Sequence, residues 1–275
     1  MISKKMENMV ANSSAIRAMF EEGNRLAKIY GAENVFDFSL GNPNVPAPEE
    51  VKNAIIELLN EEDPIALHGY TNSNAGYADV REAVAQSLNE RFGTEFEGKN
   101  IVMTVGAAGG LNVILKSLLN PADEVIVFAP YFGEYRSYVS NYDGVLVEVS
   151  PDTETFQPKL AEFEEKITAK TKAVIVNTPN NPTGVVYSEE TIEKMAEILE
   201  KKQKEFGTDI VLISDEPYRE LAYDGVEVPY LTKYYDNTVV GYSYSKSLSL
   251  PGERIGYLVI PDELLSLIHI SEPTR

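Results

Sequence analysis

Short runs of β-branched and other apolar residues alternate with amphipathic segments from about residue 100 to about residue 260. Apolar runs of this length predict buried strands, and apolar residues recurring every three or four positions predict helices packed against them. The predicted strands are Ile101–Val105, Glu124–Phe128, Val145–Val149, Ala173–Val176, Ile210–Ser214, Thr238–Ser243 and Ile255–Ile260. The helices between them are predicted to end near Leu119, Tyr142, Ile167 and Phe206. This alternation predicts an α/β fold with a mainly parallel sheet flanked by helices.

Two of these runs, Val125–Phe128 and Ala173–Val176, are apolar throughout, which is typical of strands buried on both faces. The last two strands are joined by a loop too short for a helical crossover, so they could be antiparallel. Ligands of such sheets bind beyond the carboxyl ends of the strands. We therefore look for chemistry in the residues that follow each strand.

The first forty residues predict a helix and then an extended segment. Ser13 or Ser14 could cap a helix running to about Tyr30, and Gly31 would end it. The alternating segment Phe36–Leu40 predicts a strand, and a loop rich in proline and asparagine follows it.

Composition narrows the classes of function. The chain is 43% hydrophobic and 24% charged, as in soluble globular proteins, and it has no apolar run long enough to span a bilayer. Cysteine is absent, which excludes thiolate metal sites and cysteine nucleophiles and fits a reducing cytoplasm. Two histidines argue against a histidine-built metal centre, so we expect a lysine, carboxylate or tyrosine as general base.

The formal charge of −19 argues against nucleic acid or an anionic membrane as a partner, because both would be repelled. It does not exclude an anionic cofactor, since a locally positive pocket can lie within an acidic protein.

Small residues follow the first predicted strand of the sheet, in Gly106-Ala107-Ala108-Gly109-Gly110. They let the backbone approach a ligand closely, and free N–H groups at a helix start favour a phosphate. A tight strand-to-helix turn without a ligand is the alternative.

Two further strand ends carry groups suited to a flat ring. Tyr131 could stack on such a ring, although simple packing is the alternative. The segment Asn177–Gly184 holds two prolines and several asparagines, which predicts a rigid polar loop able to aim an amide at a phenolic oxygen. An elaborate turn would explain the same residues.

Asp215 ends a predicted buried strand, where a carboxylate is costly unless it is paired with a cation or well hydrogen-bonded. A protonated pyridine nitrogen would be such a partner, and a helix N-cap is the alternative.

Lys246 lies among hydroxyls after another strand, where desolvation can lower its pKa so that it attacks an aldehyde. An exposed structural lysine is the alternative. All these features fall at strand ends, and pyridoxal phosphate requires each of them.

The sequence resembles the class I/II aminotransferases, the aspartate aminotransferase-like family of pyridoxal-phosphate fold type I. The similarity runs over residues 34–262 and rests mainly on Asn180–Gly184 and on Ser243–Lys246 followed by Arg254. It implies a large domain with the α/β sheet described above and an incomplete small domain.

The resemblance also implies roles around the cofactor ring. Lys246 would form the internal aldimine and carry the proton during transfer, and Asp215 would keep the pyridine nitrogen protonated. Tyr218 and Asn181 would hydrogen-bond the phenolic oxygen, and Asn181 would also contact the substrate. Tyr131 would stack on the ring.

For the cofactor phosphate, the resemblance implies backbone N–H groups at Gly106, Ala107 and Ala108, assisted by Ser243 and Arg254.

Two residues lie outside these groups. Tyr70 matches a tyrosine that reaches the cofactor of a neighbouring subunit, and Gly41 lies where the family's backbone meets the substrate carboxylate. The resemblance therefore implies a homodimer in amino acid metabolism and biosynthesis, and the absence of cysteine leads us to expect it in the cytoplasm. Its reaction would pass an amino group from an L-amino acid to a 2-oxo acid through the cofactor.

Against the family pattern, we expect residues 1–45 to form an N-terminal arm and part of a small domain, and residues 46–262 to form the cofactor-binding domain. Residues 263–275 do not resemble the helix expected there. We therefore expect a truncated chain with an atypical tail. Such a chain would bind the cofactor but transfer amino groups poorly.

Other functions remain open from the sequence. A β-lyase or an aminocyclopropane-carboxylate synthase-like enzyme would use the same residues. A non-catalytic pyridoxal-phosphate module is a third reading, although the chain lacks the basic recognition helix of a DNA-binding regulator.

Overall fold

The computed structural model describes residues 2–11, 15–38, 41–262 and 264. The chain divides into two compact units, Met1–Asn44 and Val45–Arg275. The three domains expected from the sequence stay a prediction, and the tail falls outside the described residues except for Leu264.

A seven-stranded sheet forms the centre of the second unit in the described part of the chain. Its strands are β1 (Ile101–Val105), β2 (Glu124–Phe128), β3 (Val145–Val149), β4 (Thr171–Asn177), β5 (Val211–Asp215), β6 (Thr238–Ser243) and β7 (Ile255–Val259). The order across the sheet is β1-β7-β6-β5-β4-β2-β3. Strands β2 to β6 pair in parallel, whereas β7 runs antiparallel to β1 and β6. The predicted α/β fold with a mainly parallel sheet is confirmed.

Helices connect these strands and precede them. The first unit contains α1 (Lys4–Ala11) and α2 (Ala15–Tyr30). The second contains α3 (Glu49–Glu61), α4 (Pro64–His68), α5 (Ala78–Phe92), α6 (Gly106–Leu118), α7 (Glu134–Asn141), α8 (Leu160–Lys166), α9 (Glu189–Phe206) and α10 (Tyr244–Ser247). No helix in the described ranges has the length and apolar composition needed to cross a lipid bilayer.

Local sequence explains the ends of α9. The hydroxyl of Ser188 accepts a hydrogen bond from the backbone N–H of Thr191 at 3.1 Å and so caps the first turn. Gly207 follows the last turn with φ of 64°, a left-handed conformation that glycine adopts at little cost.

The core covers both faces of the sheet, as the apolar runs predict. In β2, Ile126 and Phe128 pack with α8 and α9, whereas Val125 and Val127 pack with α6 and α7. Large side chains buried beneath these helices are Leu111, Ile114, Leu115, Tyr135, Phe163, Ile192, Met195 and Leu199.

The expected strand at Phe36–Leu40 is wrong for residues 36–38, which form no regular element. Phe36 and Phe38 are 81% and 92% exposed, and no described segment pairs with them. Alternation alone does not hold a strand, because its backbone groups need a partner. Helix α2 and its end at Gly31 agree with expectation, whereas Ser13, Ser14, Ser39 and Leu40 lie outside the described residues.

Candidate cofactor site

The carboxyl ends of three neighbouring parallel strands meet at one edge of the sheet. Asn177 at the end of β4 is level with Asp215 at the end of β5, which is level with Gly241 in β6. This register gathers side chains that are distant along the chain.

Asp215 is the most constrained of these residues. It is 5% exposed, and its Oδ2 accepts a hydrogen bond of 2.5 Å from the hydroxyl of Tyr135 on α7. Its Oδ1 is buried and has no hydrogen-bond partner among the described residues. A buried, unsatisfied carboxylate oxygen is costly, so this atom marks where a ligand donor or cation would bind.

Burial raises the pKa of Asp215 from 3.8 to about 6. The hydrogen bond from Tyr135 opposes this rise in pKa, whereas the nearby charge of Glu216 adds to it. A cation bound at Oδ1 would favour the ionised carboxylate and lower its pKa again.

Tyr218 and Asn181 face each other beside Asp215. The Asn181 side-chain amide donates to the Tyr218 hydroxyl at 3.3 Å, and the Asn181 backbone N–H donates to Oδ1 of Asn177 at 2.6 Å. Asn177 in turn donates to the backbone carbonyl of Asp215 at 2.8 Å. These bonds link the predicted polar loop to the end of β5. We call Asp215, Tyr218, Asn181 and Tyr135 the ring end of the site.

Lys246 lies in α10, the short helix that directly follows β6. Its side chain is half-buried, and burial lowers the pKa of its ammonium group. A lower pKa increases the fraction of neutral amine, the form that can attack a carbonyl or accept a proton.

A second cluster lies where α6 begins. Gly106 has φ of +69°, and a Cβ added there would lie 2.6 Å from Nη2 of Arg254. The guanidinium therefore lies against the glycine, and Nη1 donates to the carbonyl of Pro251 at 2.9 Å. Ala107 and Ala108 supply N–H groups of the first helical turn, which have no acceptor within the helix.

These N–H groups, the positive end of the helix and the guanidinium are suited to binding an anion. We call Gly106, Ala107, Ala108 and Arg254 the phosphate end of the site. Ser243 is buried at the end of β6, and the hydroxyl of Ser245 lies 3.5 Å from Nη1 of Arg254.

The hydroxyl of Tyr131 binds residues outside the ring end. The hydroxyl donates to Glu148 at 2.7 Å and accepts from Arg136 at 2.6 Å, and burial raises its pKa to about 12. Its ring is roughly parallel to that of Tyr135, with centroids 6.4 Å apart, whereas Phe132 meets Tyr135 edge-on at 5.6 Å. Stacking of Tyr131 on a ligand stays a prediction.

Two further site residues were expected from the sequence. Tyr70 is fully exposed, and Gly41 belongs to the first unit. Their expected roles stay predictions.

Three residues of the site were given no role of their own from the sequence. Tyr135 reaches Asp215 from a helix 80 positions earlier, Asn177 anchors the polar loop, and Ser245 lies beside Arg254. For Tyr135, the sequence offered one signal: a buried Asp215 needs a hydrogen-bond donor. The sequence did not show which residue supplies that donor.

The two ends suit one kind of ligand: an aromatic ring with a nitrogen that can carry a proton, a phenolic oxygen and a phosphate. The orphaned Oδ1 of Asp215 fits the nitrogen, the Tyr218–Asn181 pair fits the phenolic oxygen, and the start of α6 fits the phosphate. Pyridoxal phosphate has all three groups.

Fold and site together define a protein of pyridoxal-phosphate fold type I. Residues 33–272 match the family described as aminotransferase class I and II, and the chain belongs to this family. The family depends on pyridoxal phosphate.

Individual relatives agree with this assignment. A probable aspartate/prephenate aminotransferase of Aquifex aeolicus is 34% identical over 86% of this chain and 58% of its own length. An aspartate aminotransferase of Pyrococcus horikoshii is 30% identical over 94% of this chain and 62% of its own length. The chain thus spans about three fifths of the length of these curated relatives.

Solved structures agree as well. An amino transferase of Eubacterium rectale superposes with a TM-score of 0.92 at 51% identity, over 98% of this chain and 69% of that one. The aspartate aminotransferase of Thermus thermophilus with maleate gives a TM-score of 0.83 at 30% identity, over 98% and 66%.

Proposed function

We propose that this protein is a pyridoxal-phosphate-dependent aminotransferase that moves an amino group between an L-amino acid and a 2-oxo acid. The buried Oδ1 of Asp215, without a partner in the described residues, carries this proposal. A carboxylate in this state needs a cationic donor, and the protonated ring nitrogen of the cofactor is one. Family membership supports the same activity.

When bound, pyridoxal phosphate supplies an aldehyde that captures amines and a ring that takes up electrons released at the substrate Cα. Lys246 holds the cofactor, and its Nζ accepts and returns the proton that moves during transfer. Burial supports this role, because it lowers the pKa of the ammonium group and so favours the neutral amine.

The remaining residues orient the ring and its phosphate. Asp215 holds a proton on the ring nitrogen, and the hydroxyl of Tyr218 with the amide of Asn181 binds the phenolic oxygen. Arg254 and the first turn of α6 bind the phosphate, so the ring cannot rotate away from Lys246.

We further propose a homodimer in a reducing cytoplasm. Tyr70 is fully exposed and so is free to reach a neighbouring subunit, and the absence of cysteine fits such a compartment. Measurement of the molar mass by light scattering tests the dimer, and a monomer with bound cofactor would contradict it.

The attachment of the cofactor can be tested directly. The protein is mixed with pyridoxal phosphate, reduced with borohydride and digested, and the modified peptide is mapped by mass spectrometry. We expect the label on Lys246, no label in Lys246→Ala, and an unchanged label in the control Lys233→Ala, where an exposed lysine is removed. A label on another lysine, or none on the folded protein, would overturn the role of Lys246.

A second measurement addresses the reaction class. The loaded protein is incubated with single L-amino acids and 2-oxoglutarate, and glutamate and ammonia are quantified. Glutamate supports an aminotransferase, whereas ammonia without glutamate identifies a lyase. Labelled Lys246 without either product would leave a cofactor-binding protein that does not transfer amino groups.

A further inference from the structure

Glu216 and Arg219 form a buried ion pair next to the ring end. They are 1% and 7% exposed, and Nε of Arg219 donates to Oε2 of Glu216 at 2.5 Å. Neither residue is part of the site described above. Both lie on the segment that connects Asp215 to Tyr218 and continues past it.

Glu216 is fixed to the sheet through both its side chain and its backbone. The hydroxyl of Ser214 on β5 donates to Oε1 at 2.7 Å, while Oε2 accepts from Arg219. The backbone N–H of Glu216 donates to the carbonyl of Gly241 on β6 at 2.8 Å. Both carboxylate oxygens are therefore used, and the carboxylate provides a rigid anchor.

Each of the three guanidinium nitrogens of Arg219 donates a hydrogen bond. Besides Glu216, it binds the carbonyl of Val228 through Nη1 at 2.8 Å and that of Pro229 through Nη2 at 2.9 Å. These planar, divergent donors match an arginine, and a lysine could not make the three bonds together.

Aromatic rings complete the environment of Arg219. Its Cζ lies 5.1 Å from the ring centroids of both Phe92 and Tyr230, which stack on each other at 4.3 Å. Cation–π contact adds to the fixed position of the guanidinium.

The ion pair spans three residues and so closes the turn that carries Tyr218. The backbone of Tyr218 has φ of −111° and ψ of 6°, and its carbonyl accepts from the N–H of Leu221 at 2.8 Å. By contrast, the hydroxyl contact of Tyr218 with Asn181 is long, at 3.3 Å. The position of the Tyr218 ring therefore depends more on the clamped turn than on its own hydrogen bond.

Stability alone is a weak reason for such a pair. Desolvation of two charges offsets much of their attraction, and apolar replacement of a whole buried pair is often neutral or stabilising. A buried pair can instead fix one conformation, and here the conformation it fixes is that of a site residue.

We propose that the Glu216–Arg219 pair positions Tyr218 so that its hydroxyl meets the phenolic oxygen of bound pyridoxal phosphate. This inference rests on the proposed function. Glu216 and Arg219 act through Tyr218 and are positioning residues, since their polar side-chain atoms already bind each other, Ser214 and backbone carbonyls.

The test measures the affinity for pyridoxal phosphate by fluorescence titration and the melting temperature without cofactor. Arg219→Met is expected to weaken binding about tenfold to a hundredfold, which is the range for a misplaced or lost hydrogen bond at a site. In a Tyr218→Phe background, Arg219→Met should change the affinity little while still lowering the melting temperature. A merely structural role would not produce this dependence on the Tyr218 hydroxyl.

Two variants cover the case in which Arg219→Met fails to fold. Arg219→Lys keeps the charge and should bind the cofactor with intermediate affinity. The double variant Glu216→Gln with Arg219→Met removes both charges, so the melting temperature should recover while the affinity stays low.

Leu199→Ala, on the buried face of α9, serves as a control for lost stability. It should lower the melting temperature and leave the affinity near that of the natural protein. Unchanged affinity in Arg219→Met, or recovery of affinity in the double variant, would overturn the positioning role. Failure of the natural protein itself to bind pyridoxal phosphate would instead overturn the proposed function.

Discussion

The ring end and the phosphate end of the site differ in what they are built from. The ring end consists of side chains that bind one another at the ends of buried strands, and its Asp215 is 5% exposed. The phosphate end relies on backbone N–H groups of α6 and on one exposed arginine. Side-chain changes should therefore act strongly at the ring end, whereas at the phosphate end the backbone path matters most.

The largest effect is expected for Asp215→Asn. An amide cannot hold a proton on the ring nitrogen, and loss of one partner of a buried charge pair costs about 3–5 kcal/mol. The rate of amino transfer should therefore fall by about 160-fold to 5,000-fold, at 1.36 kcal/mol for each factor of ten. The control Asp236→Asn, on the surface, should transfer at the natural rate. A natural rate in Asp215→Asn would remove Asp215 from the site.

Although Asp215→Asn should lower the rate, it should raise the free energy of unfolding of the cofactor-free protein at neutral pH. The pKa of Asp215 is about 6 in the folded protein against an ordinary 3.8, so the folded state binds the proton more tightly. Stability from this group is present below pH 3.8 and is lost as the pH rises through about 6. Without cofactor, Asp215→Asn should flatten this fall in the free energy of unfolding, measured by urea denaturation. An equal slope in both proteins would contradict the raised pKa.

At the phosphate end, Gly106→Ala is expected to have the next largest effect. The new Cβ would lie 2.6 Å from Arg254 Nη2 at a φ of +69°, and a left-handed non-glycine residue costs about 1–2 kcal/mol. We expect affinity for pyridoxal phosphate to fall about tenfold or more, since the guanidinium must also move.

Gly109→Ala is the matched control, because it adds the same methyl group within α6 and meets only the Val105 side chain, at 3.3 Å. It should leave the affinity unchanged. If both alanine substitutions changed the affinity equally, the effect would come from any added methyl group in α6, and Gly106 would have no special role.

The smallest effect at neutral pH is expected for Tyr135→Phe. Its hydroxyl holds the pKa of Asp215 down, so its loss should raise that pKa above about 6. Acidification should then weaken cofactor binding at a higher pH than in the natural protein, with a few-fold loss near neutrality. Tyr142→Phe is the control, as that hydroxyl lies 3.4 Å from Asn112 and not near Asp215. An unshifted pH profile would show that Tyr135 does not govern Asp215.

The difference between the two ends also explains what the sequence could reveal. Buried strands can be predicted from local apolar runs in the sequence. Residues at the ends of those runs, such as Asp215 and Lys246, can then be predicted to lie at the edge of the sheet. Tyr135 and the Glu216–Arg219 pair were missed, because their meaning depends on partners that only folding brings together. Helix α3 was also missed, although its apolar residues Val51, Ile55 and Leu58 recur at helical spacing. In the structure, apolar residues of this helix such as Ile55 are exposed.

The position of β7 has a consequence for how the chain folds. Among the described strands, β1 pairs with β7 alone, although more than half of the chain separates them. During synthesis, β1 must therefore wait until Val259 has left the ribosome before it can join the sheet. Contacts of such long sequence separation form slowly and leave apolar surface exposed in the meantime. Arg254 and Gly106 meet across this same junction, so an anion held there would favour the joining of β1 and β7.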